Sequence, residues 1–196
     1  FPVDIQELRG GEFLQRKGYG IRAVKVDHRV NALGYALEED LRPGRFDPEA
    51  ARKLGVPSGP DFGKLQKGQS ITLADGTVVK PEQVMGGSRQ GRKVVISGDT
   101  RPCAMMIEAS RDADLLIHEA TFSDDEQARA IETRHSTARE AGRIGHEAKV
   151  KRLVLTHLSS RHDVDPRPLL EQAKQEYAGQ LDIAFDGFSI EVPLRE

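Results

Sequence analysis

The feature that most constrains this chain is a set of four short apolar segments, each of which ends in a histidine or an acidic residue. The polar ends of these segments are Asp27-His28, Gly98-Asp99, His118-Glu119 and His157. Ligands and catalytic groups collect at strand ends, because the sheet fixes the backbone while the loop leaves the side chain exposed. A single histidine at a strand end is more often a structural residue, but four such ends together indicate a site. Imidazole and carboxylate groups are ligands for Zn²⁺ or Mn²⁺, so the pattern predicts a hydrolytic metal site.

The order of apolar and helical patterns predicts an α/β fold. The opening residues 3–8, 12–15, 19–26 and 33–37 read as a strand meander. After residue 92 the predicted strands are 94–97, 115–117 and 153–156, and the predicted helices are about 103–110, 124–134, 138–148 and 167–177. A hairpin of residues 181–185 and 189–192, turning through Asp186-Gly187, is expected to close the chain.

The segment between residues 41 and 92 differs in composition, because prolines and glycines interrupt it throughout. One short helix is expected at 48–54, capped by Asp47, and a small hairpin at 70–73 and 77–79. The segment carries nine basic and five acidic residues, whereas the whole chain has a net charge of −2. It is either a solvated surface insertion or a basic arm that contacts a polyanion. The expected organisation is therefore a meander (1–40), an inserted arm (41–92) and a C-terminal α/β half (93–196).

The composition excludes several classes of protein. A chain of 196 residues with 37% hydrophobic residues and no long apolar run predicts a globular protein without a membrane span. Its single cysteine, Cys103, cannot form an internal disulfide, and no leader pattern opens the chain, so we expect a cytoplasmic location. The start at Phe1 suggests a part of a longer protein.

His135 occupies a different position from the strand-end residues, because it directly precedes a predicted helix start. Thr137 and Glu140 have capping-box spacing, which places His135 at the mouth of the following helix. A helix start favours anions and would suit a phosphate group. The alternative is an exposed histidine before a cap, without a functional role.

Five segments of the sequence together resemble one known family. The segments are VDHRVNALGY at 26–35, SGDTR at 97–101, HEATF at 118–122, HST at 135–137 and LTHLSSR at 155–161. In this order they resemble the ribonuclease Z family, whose members have the metallo-β-lactamase fold, an αβ/βα sandwich, and trim the 3′ trailer from precursor tRNA. The Gly-Pro sequence at 59–60 is similar to that of the family's flexible tRNA-binding arm.

The resemblance implies roles for individual residues. His28, Asp99 and His157 are the implied ligands of two zinc ions, with Mn²⁺ as a possible substitute, and His135 supported by Glu119 is the implied proton-donating pair. The implied substrate-binding residues are Gly59, Pro60, Lys64, Lys67, Ser136 and Thr137. A homodimer that binds precursor tRNA and leaves a 3′-hydroxyl on the tRNA is also implied.

One family motif, His-x-His-x-Asp-His, does not occur in these residues. In the family it lies upstream of the position matching Phe1, so we expect this chain to supply roughly the last two-thirds of the fold and only part of the zinc ligands. Two other functions remain open: a phosphodiesterase or sulfatase of the same fold acting on small esters, and a non-catalytic RNA-binding fragment.

Overall fold

The structure is a computed structural model that describes residues 1–162 and 164–195. The strands are β1 (Phe13–Arg16), β2 (Tyr19–Lys25), β3 (Leu33–Glu39), β4 (Ile71–Thr72), β5 (Val78–Val79), β6 (Lys93–Ile96), β7 (Leu115–Glu119), β8 (Arg152–Thr156) and β9 (Gln180–Ile183). The helices are α1 (Pro48–Lys53), α2 (Pro60–Gln66), α3 (Ala104–Ser110), α4 (Gln127–Thr133), α5 (Ala138–Glu147) and α6 (Arg167–Lys174). None of the described helices has both the length and the apolar character needed to cross a membrane.

The chain divides into two compact units. The first contains Phe1–Glu39 and Arg92–Leu194, and its centre is a seven-stranded sheet in the order β1-β2-β3-β6-β7-β8-β9. Strands β1, β2, β3 and β6 are antiparallel neighbours, whereas β6, β7, β8 and β9 are parallel to one another. The parallel half is the part with helices between its strands, as the sequence pattern predicts.

The core of the first unit lies on one face of this sheet. Alternate residues of the central strands point into it, among them Val95, Leu116, Leu153 and Leu155, all fully buried. Burying such a side chain contributes about 1.5–3 kcal/mol, so this face is the main source of stability in the unit. Helices α3, α5 and α6 supply the opposing side chains, which include Met106, Ile144 and Leu169.

The second unit contains residues 40–91 and has a small core of its own. The side chain of Asp47 caps α1 by accepting hydrogen bonds from the backbone N–H groups of Glu49 and Ala50, each at 2.9 Å. Strands β4 and β5 form the predicted small hairpin. Six buried apolar residues form the core: Ala51, Val56, Leu65, Ile71, Val79 and Val84.

The two ends of the second unit meet at a pair of backbone hydrogen bonds. The N–H of Arg42 donates to the carbonyl of Arg89 at 2.8 Å, and the N–H of Arg89 donates to the carbonyl of Arg42 at 2.9 Å. Just inside this pair, a Cβ on Gly44 would lie 2.0 Å from the carbonyl oxygen of Gly86, so only glycine fits there.

Three expectations about secondary structure are wrong. Residues 189–192 form no strand: the chain turns at Phe185–Phe188 without pairing back onto β9, which instead extends the sheet parallel to β8. Residues 3–8 also form no strand. The second unit contains two α-helices rather than one, since α2 begins at Pro60 directly after Gly59. Proline fits the first turn of a helix, where its missing N–H costs nothing.

Candidate metal and acid–base centre

Three of the predicted site residues lie at the carboxyl ends of adjacent parallel strands. Asp99 follows β6, Glu119 is the last residue of β7, and His157 follows β8. Parallel strands that are neighbours end at the same edge of a sheet, so these three side chains converge. Gly98, with φ 61°, makes the turn before Asp99, and His157 itself has φ 54°, in the left-handed region.

His28 reaches the same edge from the antiparallel half of the sheet. It follows β2, and the N–H of Arg101 donates to the carbonyl of Asp27 at 2.8 Å, which ties the His28 loop to the loop after Asp99. Nδ1 of His28 lies 2.8 Å from the carbonyl oxygen of Arg134, which can only accept. Nδ1 therefore carries the proton, and Nε2 is left as a ligand atom.

Two groups of residues among those described have the composition and spacing of a cation site. They are His28 with Asp99 and His135, and Glu119 with His135 and His157, and within each group the ligand atoms lie within 4.8 Å of one another. Nε2 of His157 and Oδ1 of Asp99 are 3.6 Å apart, which connects the two groups. The imidazole and carboxylate donors of His28, Asp99 and His157 fit a divalent ion such as Zn²⁺. The structure therefore brings the predicted ligands together, and His135 belongs to both groups.

Glu119 is the most enclosed charged group of the centre, with 1% of its surface exposed. Its Oε1 accepts hydrogen bonds from the backbone N–H of Thr100 (2.9 Å) and from Nδ1 of His135 (2.8 Å). Its Oε2 accepts from the hydroxyl (2.7 Å) and the N–H (3.2 Å) of Thr121 and from the N–H of Ser136 (3.1 Å). Five donors satisfy this buried carboxylate, which fixes its position.

His135 is held at the centre from two sides. Its Nδ1 donates to Glu119, so Nε2 is the nitrogen available to a substrate. Its ring stacks on that of His157 with centroids 5.3 Å apart and meets the edge of His28 at 5.0 Å. Its carbonyl accepts a hydrogen bond from the Arg101 guanidinium at 2.6 Å.

The Arg101 guanidinium also forms a buried, bidentate ion pair with Glu140. Glu140 belongs to the predicted capping box of α5, which is present: its carboxylate accepts from the N–H of Thr137, whose hydroxyl accepts from the N–H of Glu140. Burial alone would raise the pKa of Glu140, but hydrogen bonds from Arg101, Thr137 and Gln127 outweigh burial and leave this pKa below its ordinary value. The start of α5 is therefore fixed relative to His135 by a charged pair.

His118 does not take part in the centre, although it ends the same strand as Glu119. Consecutive residues of a strand point to opposite faces, so His118 points to the helix-covered face and is fully buried. Burial lowers the pKa of its imidazole. Of the two polar residues at the end of β7, only Glu119 reaches the site.

The predicted substrate-binding residues lie in two different places. Ser136 and Thr137 are fully buried beside the centre, and the Ser136 hydroxyl donates to the carbonyl of Thr100 at 2.6 Å. The other four lie in the second unit: Gly59 precedes α2, Pro60 and Lys64 belong to it, and Lys67 follows it. The ammonium of Lys64 pairs with Asp61 at 2.8 Å. Contact between the six predicted substrate-binding residues and a substrate remains a prediction.

The sequence interpretation missed Thr121 and Arg101. Thr121 follows Glu119 by two residues in the HEATF segment, and Arg101 follows Asp99 by two residues in SGDTR. Each follows a site residue by two positions just after a strand, and in extended backbone that spacing places both side chains on the same side. This spacing was the signal that could have identified them.

Comparison with known proteins defines the class first. A family model described as "Beta-lactamase superfamily domain" matches residues 65–158. The metallo-β-lactamase fold protein YhfI from Bacillus subtilis superposes with a TM-score of 0.60 at 23% identity, over 92% of this chain and 53% of that one. The short form of human tRNase Z gives a TM-score of 0.54 at 22% identity, over 92% of this chain and 44% of that one. The chain has the metallo-β-lactamase fold, and the predicted α/β class is confirmed.

Sequence comparison is more specific. The chain is 65% identical over its full length to a protein named Ribonuclease Z from Myxococcus xanthus, and 53% identical over 98% of its length to one from Haloferax volcanii. It spans 64% and 61% of the length of these two relatives. The chain is therefore a homologue of ribonuclease Z, which confirms the resemblance inferred from the five segments.

Proposed function

We propose that this chain supplies the acid–base pair, part of the metal ligands and the RNA-binding insertion of an endoribonuclease that removes the 3′ trailer from precursor tRNA. The observation that carries the proposal is the His135–Glu119 pair, at 2.8 Å, whose histidine also belongs to two His/carboxylate groups with the spacing of a cation site. The similarity to proteins named Ribonuclease Z supports RNA as the substrate.

Zinc bound at His28, Asp99 and His157 would supply Lewis acidity and lower the pKa of water near the scissile phosphate. Water adds to the phosphorus as its bond to the 3′ oxygen of the tRNA breaks, and Nε2 of protonated His135 gives a proton to that oxygen, which leaves a 3′-hydroxyl on the tRNA and a 5′-phosphate on the trailer. Glu119 orients the imidazole and stabilises its charged form through the Nδ1 hydrogen bond.

The second unit serves as the RNA-binding arm in this proposal. Lysines at and after α2 would contact backbone phosphates, which position the RNA without reading its sequence. On the same family resemblance we propose that the protein works as a homodimer, and the single cysteine is consistent with a cytoplasmic location.

The test uses a chimera in which these 196 residues replace the aligned, 65% identical region of the Myxococcus xanthus relative. With Zn²⁺ or Mn²⁺ present, we expect the chimera to release the trailer from a 3′-extended tRNA and to leave a 3′-hydroxyl. The matched control carries Glu119→Gln, which keeps the shape of the side chain but removes its charge, and should cut much more slowly.

Two outcomes would contradict the proposal. Hydrolysis of a nitrophenyl phosphodiester without cleavage of precursor tRNA would favour an enzyme for small esters. Binding of tRNA without cleavage of either substrate would favour a non-catalytic RNA-binding role.

A further inference from the structure

Thr121 links Glu119 to His157. Its side chain is almost fully buried, and its hydroxyl oxygen lies 2.7 Å from Oε2 of Glu119 and 2.8 Å from Nδ1 of His157. The same oxygen is 3.4 Å from Nδ1 of His135, which has a shorter bond of its own to Glu119. The hydroxyl therefore bridges one carboxylate and one imidazole.

The chemistry of these groups sets the direction of both hydrogen bonds. A carboxylate can only accept, and a threonine hydroxyl has one proton, so that proton points to Glu119. The hydroxyl oxygen is then left to accept, and Nδ1 of His157 must be its donor. If the hydroxyl pointed to His157 instead, two acceptors would face each other at 2.7 Å.

We infer that Thr121 is a positioning residue that fixes His157 in the tautomer with the proton on Nδ1 and a lone pair on Nε2. Nε2 of His157 then faces Oδ1 of Asp99 at 3.6 Å with its lone pair, an arrangement that a bound cation relieves. Partners of this kind on the second ring nitrogen are known to orient metal-binding histidines and to raise their basicity. The inference deepens the proposed function, on which the metal-binding role of His157 rests.

One consequence is that the two carboxylate oxygens of Glu119 act on different histidines. Its Oε1 acts directly on His135, and its Oε2 acts on His157 through the Thr121 hydroxyl. The two histidines are thus controlled by different oxygens of one carboxylate. Loss of the hydroxyl should alter His157 and leave the tautomer of His135 unchanged.

The experiment compares Thr121→Val, which keeps the shape but lacks the hydroxyl, with Thr121→Ser, which keeps the hydroxyl but lacks the methyl group. Long-range ¹H–¹⁵N spectra of the metal-free 196-residue chain at pH 8, above the usual imidazole pKa of about 6.5, report the tautomer of each histidine. We expect Nδ1–H for His157 in the parent and in Thr121→Ser, and a shift towards Nε2–H in Thr121→Val. His135 should be Nδ1–H in all three.

The zinc affinity of the same chain and its two variants, measured by competition with a chromophoric chelator, gives a second readout. Thr121→Val should bind zinc about 10- to 100-fold more weakly than the parent, and Thr121→Ser within about threefold of it. Equal effects of Val and Ser on tautomer and affinity would show that packing of the methyl group matters, and would overturn the inference.

The parent spectrum alone can overturn the inference, even if Thr121→Val fails to fold. An Nε2–H tautomer of His157 in the parent would show that the Thr121 hydroxyl donates to His157. The readouts need no RNA, so a failed trailer assay with an Nδ1–H tautomer would contradict the proposed function and leave the role of Thr121 standing.

Discussion

The sheet edge of the first unit and the insertion at residues 40–91 differ in how they hold their candidate functional groups. At the sheet edge, Glu119 is buried and meets five hydrogen-bond donors, and His135 is held through both its ring and its carbonyl. In the insertion, the candidate groups are lysine side chains on and after the short helix α2, and the ammonium of Lys64 is held by a single ion pair.

The difference matches the work proposed for each region. Proton transfer needs atoms placed within a hydrogen-bond length, and buried networks provide that precision. Contact with phosphates needs only positive charge within reach, which flexible side chains supply. Substitutions at the edge should therefore change rate or stability sharply, whereas those in the insertion should change binding gradually.

The largest effect is expected for His135→Ala in the chimera. Loss of a general acid typically lowers turnover by about 10² to 10⁴-fold, while zinc content should stay unchanged. Turnover and zinc content, the latter by plasma mass spectrometry, are the two measurements. A loss of zinc would show that His135, which belongs to both candidate cation sites, is a ligand rather than the acid.

Glu140→Gln tests how far the buried network stabilises the edge. Removing one partner of a buried ion pair leaves Arg101 uncompensated, and we expect a loss of roughly 3 kcal/mol in the free energy of unfolding, measured with urea at pH 7. Because the pKa of Glu140 is lowered in the folded state, its stabilisation is present above the ordinary pKa of 4.5 and is lost as the pH falls below it.

The difference between Glu140→Gln and the parent should accordingly shrink in acid. Glu147→Gln is the matched control on the same helix, since Glu147 is exposed and, among the described residues, forms an ion pair only with Arg143, at 3.9 Å. Equal losses for both variants would mean that the Arg101 pair contributes nothing specific.

Deleting residues 43–87 tests whether the insertion serves binding alone. The backbone pairing of Arg42 with Arg89 lets a short linker close the gap. Affinity for precursor tRNA should fall by roughly 10²-fold, equivalent to losing about two charge-assisted hydrogen bonds. Hydrolysis of a nitrophenyl phosphodiester should persist, and an equal loss of both activities would refute the assignment of the insertion to RNA binding.

A finer test compares Lys67→Ala with Lys64→Ala. Asp61 already neutralises Lys64, whereas Lys67 makes no ion pair with any residue that the structure describes. Lys67→Ala should weaken tRNA binding a few-fold and reduce the salt dependence by about one unit of slope. Lys64→Ala should do less, and the reverse order would show that Asp61 does not attenuate Lys64.

The smallest effect is expected for Arg134→Gly. Arg134 has φ 61°, which glycine adopts readily, and its ion pair with Asp27 is half exposed. Loss of an exposed pair costs about 0–1 kcal/mol, and relief of the backbone offsets it, so the free energy of unfolding should change by less than about 1 kcal/mol. A large loss in urea denaturation would show that this pair, and not only the Arg134 carbonyl, holds the His28 loop.

Much of the site could be predicted because its residues follow strands, and a strand end is visible in sequence as an apolar run that stops. That rule locates Asp99 and His157, but it cannot separate His118 from Glu119, since the face of a strand depends on the whole sheet. Thr121 and Arg101 act through contacts with residues distant in sequence, Thr121 with His157 and Arg101 with Glu140.

The errors in the fold have a related cause. Residues 189–192 and 3–8 carry a strand-like pattern, but a strand also needs a partner strand, and a single sequence does not show which segments pair with each other. Helix α2 was missed because Gly59-Pro60 reads as a turn, although the same pair also starts a helix.

The left-handed backbone of His157 bears on why a histidine occupies this position. Glycine would adopt φ 54° at lower energy, so the backbone conformation alone does not call for a histidine at this position. The energetic cost of this backbone conformation must be offset by the contribution of the imidazole ring. A change to glycine here would leave a protein that folds well and has lost one of its candidate ligands.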